Sequence, residues 1–192
     1  MARTREFDEE QVIQKAMEVF WKKGYASTSM RDLSQAMQIN SSSLYNSIGD
    51  KHQLFMRSLR HYTDTRIKAV KKRYANFDSS MQALENFIID AANTIITEPN
   101  SCMCVRATFE IEGDDTAIQS IINDYDNFTY QFLKSLIEDA QNENSIRIKE
   151  DAGLIADYLI GIFIGWYNSF IMYHDGKKIQ NMANFIIRQL KN

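Results

Sequence analysis

Along most of the chain, apolar residues recur every third or fourth position, the spacing of one face of an α-helix. In the first such segment, about Asp8 to Lys23, Ile13, Ala16, Met17 and Phe20 form the apolar stripe. Asp8 and Gln11 stand at capping-box spacing before it, and Gly24 suits the left-handed turn that ends it. A second helix is expected over about Ser29 to Met37, with Ser29 and Asp32 placed to cap it. A short third follows Asn40, over roughly Ser41 to Ile48. The fourth opens at Asp50, with Gln53 three residues on, and runs to about Tyr74.

Five more segments carry the same period. Leu84, Phe87, Ile88, Ala91 and Ile95 share a face between Ser79 and Thr97, and Pro99 cannot continue that helix. A shorter helix is expected from Met103 to Ile111, ending at Gly113, then a long one from Asp115 to Gln141. Segments from about Asp151 to Tyr173 and Lys177 to Leu190 flank an Asp175-Gly176 turn. Nine candidate helices, with no internal repeat and no low-complexity linker, predict an all-α fold.

Composition agrees with that pattern. The chain has 192 residues, 44% hydrophobic and 24% charged, with seven glycines and a single proline. The first residues, Met-Ala-Arg-Thr-Arg-Glu-Phe-Asp, contain no apolar stretch, so no secretory signal is expected. The two cysteines, Cys102 and Cys104, are too close in sequence for a disulfide framework, and a reducing cytoplasm is the expected location. Seventeen uncharged residues, Tyr158 to His174, fall short of the roughly 20 needed to span a bilayer. They also include Asn168, Ser169 and two glycines. A helix in a core or subunit interface is expected there, and no membrane association.

Charge divides the chain unevenly. Residues 1–75 hold 14 Lys and Arg against 8 Asp and Glu, whereas residues 76–192 hold 8 against 17. The net charge of −3 therefore hides a basic N-terminal third, the part suited to meet a polyanion. Within it, Ser27 to Lys51 has the pattern of two short helices joined by a tight turn, with Leu33, Ile39 and Leu44 to pack them. In a helix-turn-helix, the second helix lies in the major groove of DNA. Helix pairs of this kind also occur in protein-binding adaptors, which remain the alternative.

Catalytic patterns are missing. His52, His61 and His174 are scattered, and no Glu-x-x-His pair, phosphate-cradling glycine loop or nucleophile elbow occurs. Asp114-Asp115 and Asp124-x-Asp126 lack a calcium-loop pattern. Two thiols without a nearby histidine cannot complete a tetrahedral zinc site, and no cofactor is expected.

The stretch Gly24-Tyr-Ala-Ser-Thr-Ser-Met-Arg-Asp-Leu33 resembles the entry into the DNA-reading helix pair of the TetR family of transcriptional regulators. Ile39-Asn-Ser-Ser-Ser-Leu-Tyr-Asn-Ser-Ile-Gly-Asp-Lys51 is similar to that family's recognition helix and the start of its fourth helix. Cys102-Met-Cys-Val-Arg-Ala-Thr-Phe-Glu110 looks like a segment found in part of the family. The sequence departs from the usual pattern at Gln38, where the turn often has glycine, at Ser47 and Ile48, commonly aromatic, and at Ser41, often lysine. The resemblance implies a DNA-binding domain over residues 1–50, with its motif at about 29–48 and a basic fourth helix after it. Residues 75–192 would form a ligand-binding and dimerisation domain.

Candidate DNA contacts are Thr28, Ser29, Arg31, Ser41, Ser42, Ser43, Tyr45, Asn46 and Lys51. The three serines allow close backbone approach, or else cap their helix. Asn46 is suited to pair with adenine, or is simply solvated. Tyr45 resembles the family's phosphate-contacting tyrosine, with a packed aromatic as the alternative. Arg31 is suited to a phosphate or a guanine edge, and Lys51 adds charge to a helix N-terminus that already favours phosphate. Arg3 and Arg5 form either a mobile arm or a tail without a role.

One short recognition helix reads few bases, so a homodimer on a near-palindrome in double-stranded DNA is expected. By resemblance its surface lies on the last two helices, with Leu154, Ile160, Gly161, Ile164, Gly165, Ile171, Met182, Ile186 and Leu190 as candidates; the alternative is that they face the chain's own core. The resemblance also implies a small-molecule effector pocket, for which Phe87, Phe109, Tyr125, Phe128 and Trp166 are candidate lining, or plain core. Cys102, expected at a helix start, is a candidate sensing thiol with Cys104 to resolve it, or else a buried inert cysteine.

Overall fold

A computed structural model describes residues 8–40, 49–98, 100, 102–111 and 115–191. Among the described residues there are eight α-helices and no strand. They are α1 (Glu9–Lys23), α2 (Met30–Met37), α3 (Lys51–Arg73), α4 (Ser80–Thr97), α5 (Met103–Glu110), α6 (Thr116–Asn142), α7 (Ala152–Tyr173) and α8 (Gly176–Lys191). The short helix expected over Ser41 to Ile48 lies outside the described residues.

Helix ends follow local side-chain chemistry. Asp8 accepts from the backbone N–H groups of Glu10 and Gln11 and so opens α1. Gly24 closes it at φ 87°. Ser29 and Asp32 form a reciprocal capping box on α2. Asp50 and Gln53 do the same for α3: the Asp50 carboxylate accepts from Gln53 N–H at 2.8 Å, and the Gln53 side chain accepts from Asp50 N–H at 3.2 Å. After α2 the chain turns at Gln38, which adopts the left-handed conformation with φ 57° and ψ 37°.

The helices gather into two compact units. One runs to Arg66 and takes in Met103–Ile122; the other holds Ile67–Cys102 and continues from Asn123. In the first, Phe20 of α1, Leu33 of α2, and Leu54 and Leu59 of α3 are almost fully buried. Met103, Cys104 and Ala107 of α5 and Ile118 and Ile121 of α6 are buried too. Phe20, Tyr25 and Phe55 interlock as rings, with Tyr25 and Phe55 4.9 Å apart. Each buried Leu or Phe of this kind contributes about 1.5–3 kcal/mol relative to exposure.

In the second unit, α4, α7 and α8 pack on one another, and Leu133, Ile137 and Ala140 of α6 join their core. Helix α7 spans 22 residues and is long and apolar enough, by length and composition alone, to cross a membrane. Apart from His174, its C-cap, the uncharged run lies within this helix, whose bounds match those expected, about Asp151 to Tyr173. One side of α7 is core, with Ile155, Leu159, Phe163 and Trp166 buried; the other exposes Leu154, Tyr158, Ile164, Ile171 and Met172.

Candidate DNA-binding surface

The first turn of α3 and the loop between α1 and α2 hold one another. Glycine at position 24 allows the positive φ that ends α1 and turns the chain toward α2. The Thr28 hydroxyl donates back to the Gly24 carbonyl at 2.6 Å, and Thr28 is buried. Lys51 reaches the same loop from α3. Its Nζ lies 3.4 Å from the Ala26 carbonyl and 4.4 Å from the centre of the Tyr25 ring. Burial, together with the charges of Asp50 and Asp115, raises the pKa of Tyr25. That keeps the phenol neutral beneath the ammonium.

Lys51 therefore stands at the N-terminus of a 23-residue helix, where orphan amides and the helix dipole already favour an anion. Arg31 and Ser29 are exposed at the start of α2, although the Ser29 hydroxyl is engaged with Asp32. Lys23 is tied to Asp32 at 2.6 Å, and Arg57 pairs with Glu9.

Of the candidate DNA-binding residues, Ser29, Arg31 and Lys51 lie in the described residues at helix N-termini; Ser41, Ser42, Ser43, Tyr45 and Asn46 lie outside them. Thr28 requires a correction. Its side chain is turned inward to close the α1–α2 loop, so it supports the surface rather than touching DNA.

Residues 12–57 match the family model for bacterial regulatory proteins of the tetR family, a region spanning α2 and reaching the first turns of α3. In that region the chain carries the DNA-binding domain of the TetR family. It is a DNA-binding transcriptional regulator, and relatives of the same kind align over most of its length. It is 28% identical over 155 residues to an uncharacterised HTH-type transcriptional regulator, YezE, of Bacillus subtilis, covering 80% of this chain and 76% of that one. It is 25% identical over 166 residues to the HTH-type transcriptional repressor ComR of Escherichia coli, covering 85% and 79%. Its fold is also that of the TetR family regulator CifR bound to 26-base-pair operator DNA, with a TM-score of 0.82, 20% identity, and coverage of 97% and 98%.

The second unit sorts its candidates differently from the sequence reading. Phe87 and Phe128 belong to a chain of rings through Phe132, and Phe87 continues through Phe163 to Trp166. Tyr74 joins the same cluster, and its hydroxyl donates to Asp90 at 2.6 Å. Tyr125, on α6, is half-buried. Phe109 does not belong here: it lies on α5, in the other unit, and is 76% exposed. Trp166 is buried in the core.

On α7, Leu154, Gly161, Ile164, Gly165 and Ile171 all face outward, and a Cβ added at Gly161 or Gly165 would meet nothing within 4 Å. Ile160, Met182 and Ile186 are half-buried against the chain's own core, and Leu190 is only 3% exposed within it. Leu190 is thus corrected from interface to core. Tyr158, Met172 and Phe185 are also exposed on α7 and α8, and the i, i+4 spacing from Leu154 could have singled out Tyr158. Cys102 directly precedes α5, as expected, but both cysteines are buried. A sensing thiol needs access, so burial opposes that reading. Among the described residues, no group of three His, Cys, Asp or Glu is placed to hold a metal ion.

Proposed function

We propose that this regulator represses transcription as a cytoplasmic homodimer on a near-palindromic operator, and that a small molecule bound by its C-terminal helices releases it. The observation that carries the DNA reading is Lys51, held over Tyr25 at a helix N-terminus within the matched family region. A cation there neutralises backbone phosphate, and phosphate contacts fix a reading head on the duplex. Residues 1–50 act as the DNA-binding domain and 75–192 as the effector and dimerisation domain. Ser41, Ser42, Ser43, Tyr45 and Asn46 are the DNA contacts in this reading.

The outward side of α7 supports the dimer. Leu154, Tyr158, Ile164, Ile171 and Met172 form an apolar stripe, interrupted by two glycines that would let a second backbone approach. A second copy of α7 and α8 covers this stripe better than a lipid bilayer does, since Asp157 lies exposed within it. The ring cluster around Phe87, Phe128 and Tyr74 favours an effector with apolar or aromatic surface, and Tyr125, one turn before Phe128 on α6, is a further candidate. Repression agrees with the relative ComR, itself a transcriptional repressor. The regulator acts by occupancy, without catalysis.

Titration of the protein with double-stranded DNA at rising salt tests this reading. Affinity should fall linearly on logarithmic axes, with a slope set by the number of phosphates neutralised. A protein with no salt-dependent DNA affinity would instead be a helical adaptor.

A further inference from the structure

Helix α5 follows the helix-turn-helix region by more than fifty residues, yet two of its side chains are built into the α1–α2 loop. Arg106 donates to the carbonyls of Trp21 at 3.2 Å and Lys23 at 3.0 Å, both in the last turn of α1. Glu110 accepts from the backbone N–H of Tyr25 at 2.5 Å and of Ala26 at 3.4 Å. The two side chains join each other at 2.5 Å. Glycine at position 24 makes room for both: a Cβ there would overlap the carboxylate and the guanidinium.

Tyr25 and Ala26 are the residues that hold Lys51, one by its ring and the other by its carbonyl. A second tie reaches the next residue of α3, where His52 Nε2 lies 2.5 Å from the carboxylate of Asp115, just ahead of α6. Two adjacent residues of the phosphate-facing turn are therefore wired to the segment from Arg106 to Asp115.

We infer that Glu110, oriented by Arg106, is a positioning residue for DNA binding: it fixes the Tyr25–Ala26 backbone that aims Lys51. The inference rests on the reading that Lys51 meets phosphate. Its sign separates it from plain electrostatics. Removing a carboxylate from a DNA-binding surface reduces repulsion and should strengthen binding. Loss of a positioning group should weaken it.

The test uses the full-length protein and a mixed-sequence DNA duplex, comparing salt slopes for wild type, Lys51→Ala, Glu110→Gln and the double variant. Lys51→Ala should lower the slope by about 1 for each phosphate that is no longer neutralised. Glu110→Gln should weaken binding and lower the slope in the same direction, and the double variant should lose no more than Lys51→Ala alone. Should Glu110→Gln fail to fold, Glu110→Asp keeps the charge but draws the carboxylate back by one methylene, and the same loss is expected.

Binding by Glu110→Gln that is equal to or stronger than wild type, or losses that add in the double variant, would overturn the inference while leaving Lys51 as a phosphate contact. An unchanged slope in Lys51→Ala would overturn both.

Discussion

The carboxylate of Glu110 fills the space that a Cβ on Gly24 would need, so the end of α1 and the end of α5 meet at a residue with no side chain. Gly24 also sits at φ 87° and ψ 164°, a region that residues with a Cβ rarely enter. Gly24→Ala should therefore destabilise the protein by about 1–3 kcal/mol or more, through backbone strain and steric overlap together. Chemical denaturation would show a lower midpoint. An unchanged midpoint would mean that the loop relaxes freely.

Gln38 presents the opposite case. It adopts the left-handed conformation that closes the turn after α2, at φ 57°, and carries a Cβ there. Gln38→Gly removes the penalty of placing an L-residue in that region, worth about 1 kcal/mol. The thermal midpoint should rise by roughly 2–4 °C, the shift expected of such a gain in a chain of this size. A fall would show that the Gln38 side chain contributes more than its strain costs.

Gly161 and Gly165 separate subunit stability from assembly. Each lies within α7 with open space beyond its Cα. Replacing either by Ala should stabilise an isolated subunit by about 1 kcal/mol through helix propensity. In the proposed dimer, the larger Gly161→Leu change should force the helices apart and lower dimer affinity. Sedimentation velocity across a dilution series checks this: a variant as dimeric as wild type would place the interface elsewhere.

The pairing of His52 with Asp115 gives an acid dependence. The hydrogen bond from His52, and then that from the Ile118 N–H, hold the Asp115 carboxyl below the usual carboxylate range. A depressed pKa means that its contribution is complete above the unfolded value of about 3.9 and is lost as pH falls through the folded value. Denaturant midpoints measured from pH 5 downward should fall less steeply for Asp115→Asn than for wild type. Equal slopes would show that the pair does not survive in solution.

The parts of the fold that were legible in the sequence are those decided within one helical turn. Asp8, Ser29 with Asp32, and Asp50 with Gln53 cap where their spacing says they should, because capping joins residues three apart. Thr28 was misread because its environment depends on the Gly24 carbonyl and the packing beneath it, not on its place near a helix start. Leu154 and Leu190 look alike as apolar residues at helical spacing. Periodicity gives an apolar stripe but not whether that stripe meets its own core or another molecule. The Arg106–Glu110 clamp was invisible for a simpler reason: its partners are 83 to 85 residues away.

Selection of bound duplexes from a random-sequence pool addresses the paired reading heads most directly. The recovered DNA should converge on an inverted repeat whose half-site centres lie one helical turn apart, about 34–36 Å, or a multiple of it. A pool that shows no enrichment, or that converges on a single asymmetric half-site, would contradict a symmetric dimer that reads DNA through its N-terminal helices.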